Sequence, residues 1–326
     1  MSEPSATPPG PTGPERRRRK PGRRRAVLIA AACVCAAAAT AVVVQEVSST
    51  DASNGSSGTV RLREPTEAEK DVLHDAEQRL LRDCMGEHGF EYRTAVRQPV
   101  PEAREFPYVV DDTDWARRHG YGSDIERRLE EIRRDDPNQR YFRSLPAGRR
   151  AAALAAANGE RPTGLTVKTP DGLRLTRSTQ GRRAEAERRL YGDLGAWFQA
   201  RSTMDALRQL RTGRVTADPA FAEAARPWAR CMRAAGHDYA DPAALRRALP
   251  PPEHPLPRER EVALAVAEAT CARESGLAVT ARRLDGKYDT ELRRRYRAAV
   301  NTGLRLQLAA LPRARTLIGT GEGQHP

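Results

Sequence analysis

Apolar residues fall into three patterns along this chain: one unbroken run, a series of helical stripes and one alternating pair. The run is residues 26–44, which carry no charge and are mostly Ala and Val with Leu28 and Ile29. At about 1.5 Å per residue such a helix reaches about 28 Å, close to the hydrocarbon thickness of a bilayer. Eight cations, Arg16 to Lys20 and Arg23 to Arg25, all precede it. Basic flanks stay on the cytoplasmic side, so the pattern predicts a membrane-spanning signal anchor with the N-terminus inside and the rest of the chain outside. Three other readings compete. A cleaved signal peptide would use Ala39-Thr40-Ala41, yet Val42 to Val44 continue the apolar run past it. Lipidation at Cys33 lacks a branched residue three positions before it, and a twin-arginine signal at Arg24-Arg25 lacks the flanking consensus.

The stripes begin after Pro65. Thr66 with Glu69 forms a capping-box pattern, and Val72, Leu73, Ala76, Leu80, Leu81 and Cys84 then recur at helical spacing to about Gly86 or Gly89. Residues 90–110, with Pro99, Pro101 and Pro107, read as an extended connection. Short helices are expected at 114–119, at 123–134 behind a Ser123/Glu126 capping box, and at 147–157. One long helix is expected from Gly181 to about Arg211, weakened at Gly192 and Gly195. A helix capped by Asp218-Pro219 runs toward Ala235 with a kink or break at Pro227. After the proline-rich stretch 250–257, helices follow at 258–275 and from Thr280 to about Leu311. In the last, Leu284, Tyr288, Leu292, Tyr296, Val300 and Leu304 form one stripe, read as ordinary core packing. The alternating pair, Leu165 to Thr169 and Leu173 to Thr176 around Pro170-Asp171-Gly172, predicts a β-hairpin that must pack on the helices.

These patterns predict a mainly α protein: helical, bundle-like extracytoplasmic domains with one small hairpin behind an N-terminal transmembrane helix. The expected divisions are a disordered basic cytoplasmic tail (1–25), the transmembrane or signal-anchor helix (26–47), a Ser/Gly-rich linker (48–64), a first helical unit with the hairpin (65–212), a second helical unit (213–318) and a disordered end (319–326).

Charge changes this picture little. The 326-residue chain has a formal net charge of +13, of which residues 1–25 supply +6, so about half the excess is accounted for by topology. Aromatic residues make up 5%, too few for a base-stacking platform, and no nucleic-acid partner is expected. The expected partners are the lipid bilayer, through the N-terminal helix, and a protein of the envelope or of a transporter.

Cys33 and Cys35 fall in the apolar run. Cys84, Cys231 and Cys271 follow it, where disulfides can form, and three cysteines allow one bridge and one free thiol. The most specific signal is a repeat. Cys84-Met85 leads to Gly89, Glu91 and Tyr92, and Cys231-Met232 leads to Gly236, Asp238 and Tyr239, in identical register. Each reads as a helix end in which the glycine takes a positive φ and the aromatic packs back, and the repetition points to a duplicated helical unit. Cys231–Cys271 is the preferred bridge, worth about 3–4 kcal/mol for a loop of this size; Cys84–Cys231 is the alternative.

The two Cys-Met segments, Tyr191-Gly192-Asp193, and the stretch from Trp228 to Pro242 together with Cys271 resemble a family of uncharacterised actinobacterial proteins that are secreted or single-pass membrane-anchored. The resemblance covers most of the exported part. It implies location and fold class, and no activity. It also implies a cysteine in relatives immediately after the glycine matching Gly181. Arg182 stands there in this chain, a departure that would leave Cys84 as a free thiol.

No phosphate-binding glycine loop, Gly-x-Ser-x-Gly or His-Glu-x-x-His is present. Asp111, Asp112 and Asp114 lack the glycine and distal glutamate of a calcium loop, and read as caps for the next helix. Cys84 with His88, or Cys231 with His237 and Cys271, are donor sets whose spacings match no standard zinc or haem pattern. No cofactor, metal site or catalytic residue is therefore expected. The expectation is a non-catalytic binding or accessory component, with a membrane-tethered cell-wall hydrolase and a thiol or copper/zinc-binding sensor as the alternatives.

Overall fold

The computed structural model describes residues 62–251 and 253–319. The 26–44 run, the basic tail and the end beyond 319 lie outside the described residues. Among the described residues, no helix is long and apolar enough to cross a membrane.

The protein is mainly helical, with one two-stranded antiparallel hairpin. Helix α1 (Glu67–Gly86) opens with both halves of the expected capping box. The Thr66 hydroxyl accepts from the Glu69 N–H at 3.2 Å, and the Glu69 carboxylate accepts from the Thr66 N–H at 2.9 Å. Arg63 also grips Glu69, and its hydrogen bonds hold that carboxyl down at about 2. The buried face of α1 is Leu73, Ala76, Leu80, Leu81, Cys84 and Met85.

Next come α2 (Thr113–His119), α3 (Ser123–Arg134), α4 (Pro137–Ser144) and α5 (Ala147–Asn158). Asp112 caps α2 through the Trp115 N–H at 2.8 Å, as its spacing implied. The hairpin pairs β1 (Gly164–Lys168) with β2 (Arg174–Ser178), Thr166 opposite Thr176.

Four expectations change. The single helix from Gly181 is two: α6 (Arg182–Tyr191) and α7 (Leu194–Ala217). Gly192 turns at φ 83°, ψ −84°, and Asp193 caps α7 by accepting from the Ala196 N–H at 2.9 Å. A stop and a start signal stand side by side there, so the chain changes direction. Helix α8 (Pro219–Ala234), capped by Asp218, runs through Pro227 without a break. After α9 (Pro242–Ala248) and α10 (Arg258–Glu274), the expected last helix is again two: α11 (Leu277–Arg295) and α12 (Arg297–Gly319). Its apolar stripe repeats every four residues, which gains about 40° per step on a straight 3.6-residue helix. Over five steps the stripe would rotate away from the core. The break at Tyr296 (φ −108°, ψ 25°) re-aims it, so that Leu284, Leu292, Val300 and Leu304 are all buried.

The fourth change is the start of α3. No Ser123–Glu126 box forms. Gly122, at φ 93°, takes the cap position, and Glu261 on α10 supplies the carboxylate. It accepts from the Tyr121 N–H (2.8 Å), the Ser123 N–H (3.1 Å) and the Ser123 hydroxyl. Glu261 is buried, and a Cβ on Gly120 would stand 2.7 Å from its carboxyl carbon, so only glycine fits there. Two turns on, the buried Glu268 accepts from the Val110 N–H at 3.1 Å. Both acids thus fasten the 108–123 segment to α10.

Two main cores result. One joins α1, α6 and α12 through Leu73, Leu80, Leu190, Leu308 and Leu311. The other joins α8 to α11 through Phe221, Trp228, Met232, Leu245, Leu264 and Leu277. Helix α7 belongs to both, with Trp197 in the first and Val215, at its C-terminal end, in the second.

Candidate binding cleft and the two cysteine sites

A cleft of about 490 Å³ opens where α1, α7, α11 and α12 meet. Its inner wall is Leu73, Leu207, Leu292, Val300 and Leu304; one end is closed by Tyr191 stacked on Trp197, ring centroids 3.9 Å apart. Those two side chains come together because the Gly192 turn folds the end of α6 onto the start of α7.

The polar groups at that end are incompletely matched. The Trp197 indole N–H is buried without a partner, an arrangement that costs about 1–3 kcal/mol until an acceptor arrives. Glu77, on the apolar edge of α1, has one contact, the Tyr191 hydroxyl at 3.4 Å. Burial, and then the negative charge of Glu187, push the Glu77 carboxyl above its ordinary range. Arg201 reaches Glu187 at 3.8 Å. Outward, Arg97 is bound to Asp71 at 2.7 Å, Arg211 to Asp289 at 2.7 Å and Arg293 to Glu64 at 2.5 Å. His74 is committed to the Ala95 carbonyl at 2.7 Å. The arrangement is a cleft with an apolar inner wall and many charged side chains around it, lined also by Trp197, whose indole donor is unfilled, and by the buried acid Glu77. A cleft of this kind can hold a ligand by apolar contact and hydrogen bonds.

Cys231 and Cys271 form a disulfide, Cα atoms 5.6 Å apart, between α8 and α10. Cys84 is a free thiol, fully buried where α1 packs on α6. The structure therefore joins two of the three cysteines and leaves the third apart. Burial pushes the Cys84 thiol up, away from the reactive thiolate. Its sulfur and the Glu87 and Glu185 carboxylates lie within 4.8 Å of one another. Glu185, however, is gripped by Arg182 and Arg189, and Arg189 lies 3.9 Å from Glu87. A metal ion would have to displace these guanidinium groups, so the donor set does not fit one. Arg182, at the position where the family resemblance implies a cysteine, is among the charges that act on the Cys84 thiol.

The cleft residues Glu77, Tyr191 and Arg201 were not singled out by the sequence as a site. The one local signal was Glu77, an acid bordering the apolar stripe of α1; nothing local linked it to Trp197. Compared with known proteins, the chain matches no family model, no curated protein and no solved structure.

Proposed function

We propose that this chain is a membrane-tethered, extracytoplasmic helical protein, a non-catalytic binding or accessory component of the cell envelope or of a transporter, and that the α1/α7/α11/α12 cleft takes its ligand or partner segment. The observation that carries the reading is the buried, unpartnered N–H of Trp197, a residue that lines a cleft with an apolar inner wall. Folding leaves that valence open at a cost, and an acceptor on a ligand would fill it. The disulfide supports an oxidising compartment, and the charge-free run behind eight cations supports a tether. The test uses the full chain in its native membrane: chemical crosslinking, affinity recovery and mass spectrometry, with Trp197→Phe as the paired variant. That change keeps an aromatic six-membered ring and removes the N–H together with the five-membered ring that carries it. Recovery of a reproducible partner or ligand that the variant loses is the expected result. No reproducible companion, or equal recovery with Trp197→Phe, would sink the reading.

A further inference from the structure

Arginine is the dominant cation of this chain, and around the cleft arginines have carboxylates opposite them, as Arg97, Arg211 and Arg293 illustrate. Elsewhere many arginines, such as Arg140, Arg150 and Arg283, have no ion pair among the described residues, but in one place several unpaired cations line the same recess. A recess of about 520 Å³ lies between the turn of the hairpin, the middle of α7 and the α11–α12 junction. Lys168, Arg294, Arg295 and Arg297 line it, and no carboxylate does. None of these four has an ion-pair partner among the described residues. Acids close by in sequence are already engaged: Asp171 takes the Thr169 hydroxyl and Glu291 lies 3.5 Å from Arg214.

Tertiary structure assembles this concentration. Arg294 and Arg295 end α11 and Arg297 begins α12, so the break at Tyr296 holds the three around one corner. Lys168 arrives from the end of β1, 126 residues earlier in sequence than Arg294. All four cations are exposed, so water and salt moderate their mutual repulsion, and a bound anion lowers it further. The recess also receives the start of α12, a 23-residue helix whose first-turn amides have no intrahelical partner; Ala298 and Ala299 are in the lining.

We infer that this recess is an anion site for a phosphate ester, whose oxygens would be held by the guanidinium groups of Arg294, Arg295 and Arg297 and by the Lys168 ammonium. Arginine suits this chemistry because its planar fork meets two phosphate oxygens at once. The inference stands apart from the binding cleft. A phosphate ester can come from a lipid headgroup or from a soluble compound.

The test is hydrogen exchange over residues 294–299 of the full chain, in three settings: phosphatidylcholine nanodiscs, the same discs with phosphatidylglycerol, and phosphatidylcholine discs with added pyrophosphate. Two charge-matched variants accompany it. One carries Arg294→Gln, Arg295→Gln and Arg297→Gln; the other carries Arg117→Gln, Arg133→Gln and Arg134→Gln, all exposed and remote in sequence from the recess. The expected result is slower exchange with phosphatidylglycerol or pyrophosphate, weakened by salt and retained by the second variant. The first variant should lose about tenfold or more in apparent affinity. Protection by pyrophosphate alone assigns a soluble ligand, and protection by phosphatidylglycerol alone or by both assigns a headgroup; each supports the site. No protection by either probe, or equal loss in the two variants, overturns it. A chain that does not enter discs defeats the tether reading, while the pyrophosphate arm still tests the recess in detergent solution.

Discussion

The ends of α1 and α8 share one backbone design and opposite cysteine chemistry. At the first, the Phe90 N–H donates to the Met85 carbonyl at 3.1 Å and the Gly89 N–H to the Gly86 carbonyl at 2.9 Å. At the second, the His237 N–H donates to the Met232 carbonyl at 2.8 Å and the Gly236 N–H to the Arg233 carbonyl at 3.0 Å. Gly89 and Gly236 hold φ 72° and 87°. Both ends are Schellman motifs, which explains the spacing of the repeat: the methionine supplies the outer carbonyl, and the glycine takes the left-handed turn. The cysteine before the methionine is fully buried at Cys84 and half-buried at Cys231. Behind Cys231 stands Cys271 on α10; behind Cys84 stands the Arg/Glu surface of α6. The helix end is therefore a reusable local unit, while the fate of its cysteine depends on which helix docks against it.

The sharpest way to break the comparison is to remove the cysteines. Replacing Cys231 and Cys271 together with Ala should cost about 3–4 kcal/mol, as expected for a closed loop of about 40 residues. Cys84→Ala should cost about 1 kcal/mol, the loss of one buried group of methylene size. Denaturant unfolding of the three proteins measures both, and equal losses would show that the bridge contributes nothing.

A smaller effect tests the shared backbone. Gly89→Ala and Gly236→Ala each place a Cβ in the left-handed region, costing about 1–2 kcal/mol. No neighbouring atom would obstruct a Cβ at Gly236, and at Gly89 the nearest is the flexible end of Arg149 at 4.0 Å. The two losses should therefore agree within error. A clear difference in unfolding free energy would mean that the two ends are alike only in outline.

The smallest effect sharpens the α10 side. Burial raises the Glu268 carboxyl above its ordinary range. The folded protein therefore favours the protonated acid. Its contribution is fully present below the unfolded carboxyl range, about pH 4, and is lost as pH rises through the folded value. Glu268→Gln keeps an oxygen for the Val110 N–H and cannot ionise. Melting temperatures measured from pH 4 upward should show the wild type losing ground to the variant as pH rises. Parallel curves would refute a protonated Glu268.

Sequence and structure divide along the same line as the two helix ends. The Thr66/Glu69 box, the Asp112 and Asp218 caps, the hairpin and the two Cys-Met-x3-Gly ends were legible because each signal and its partner lie within a few residues. Gly192-Asp193 carried a legible stop and start, but the apolar stripe running past it read as a single helix. The acids of α10 left a trace as well: Glu261 and Glu268 interrupt an otherwise apolar face, which marks buried carboxylates without saying what they bind.

What the sequence determined by itself was the mainly helical class, the helix caps at Thr66, Asp112 and Asp218 and the backbone geometry of the repeated ends. These rest on periodicity and on side-chain-to-backbone bonds that close inside one turn. Tertiary structure alone decided four things: which cysteine lies opposite Cys231, that Glu261 caps a helix 138 residues earlier in the chain, that Trp197 and Glu77 share one cleft, and that Lys168 joins the arginines at Tyr296. Each requires two segments to arrive at one point. That arrival is set by the summed packing of whole helix faces, which no local window of sequence contains.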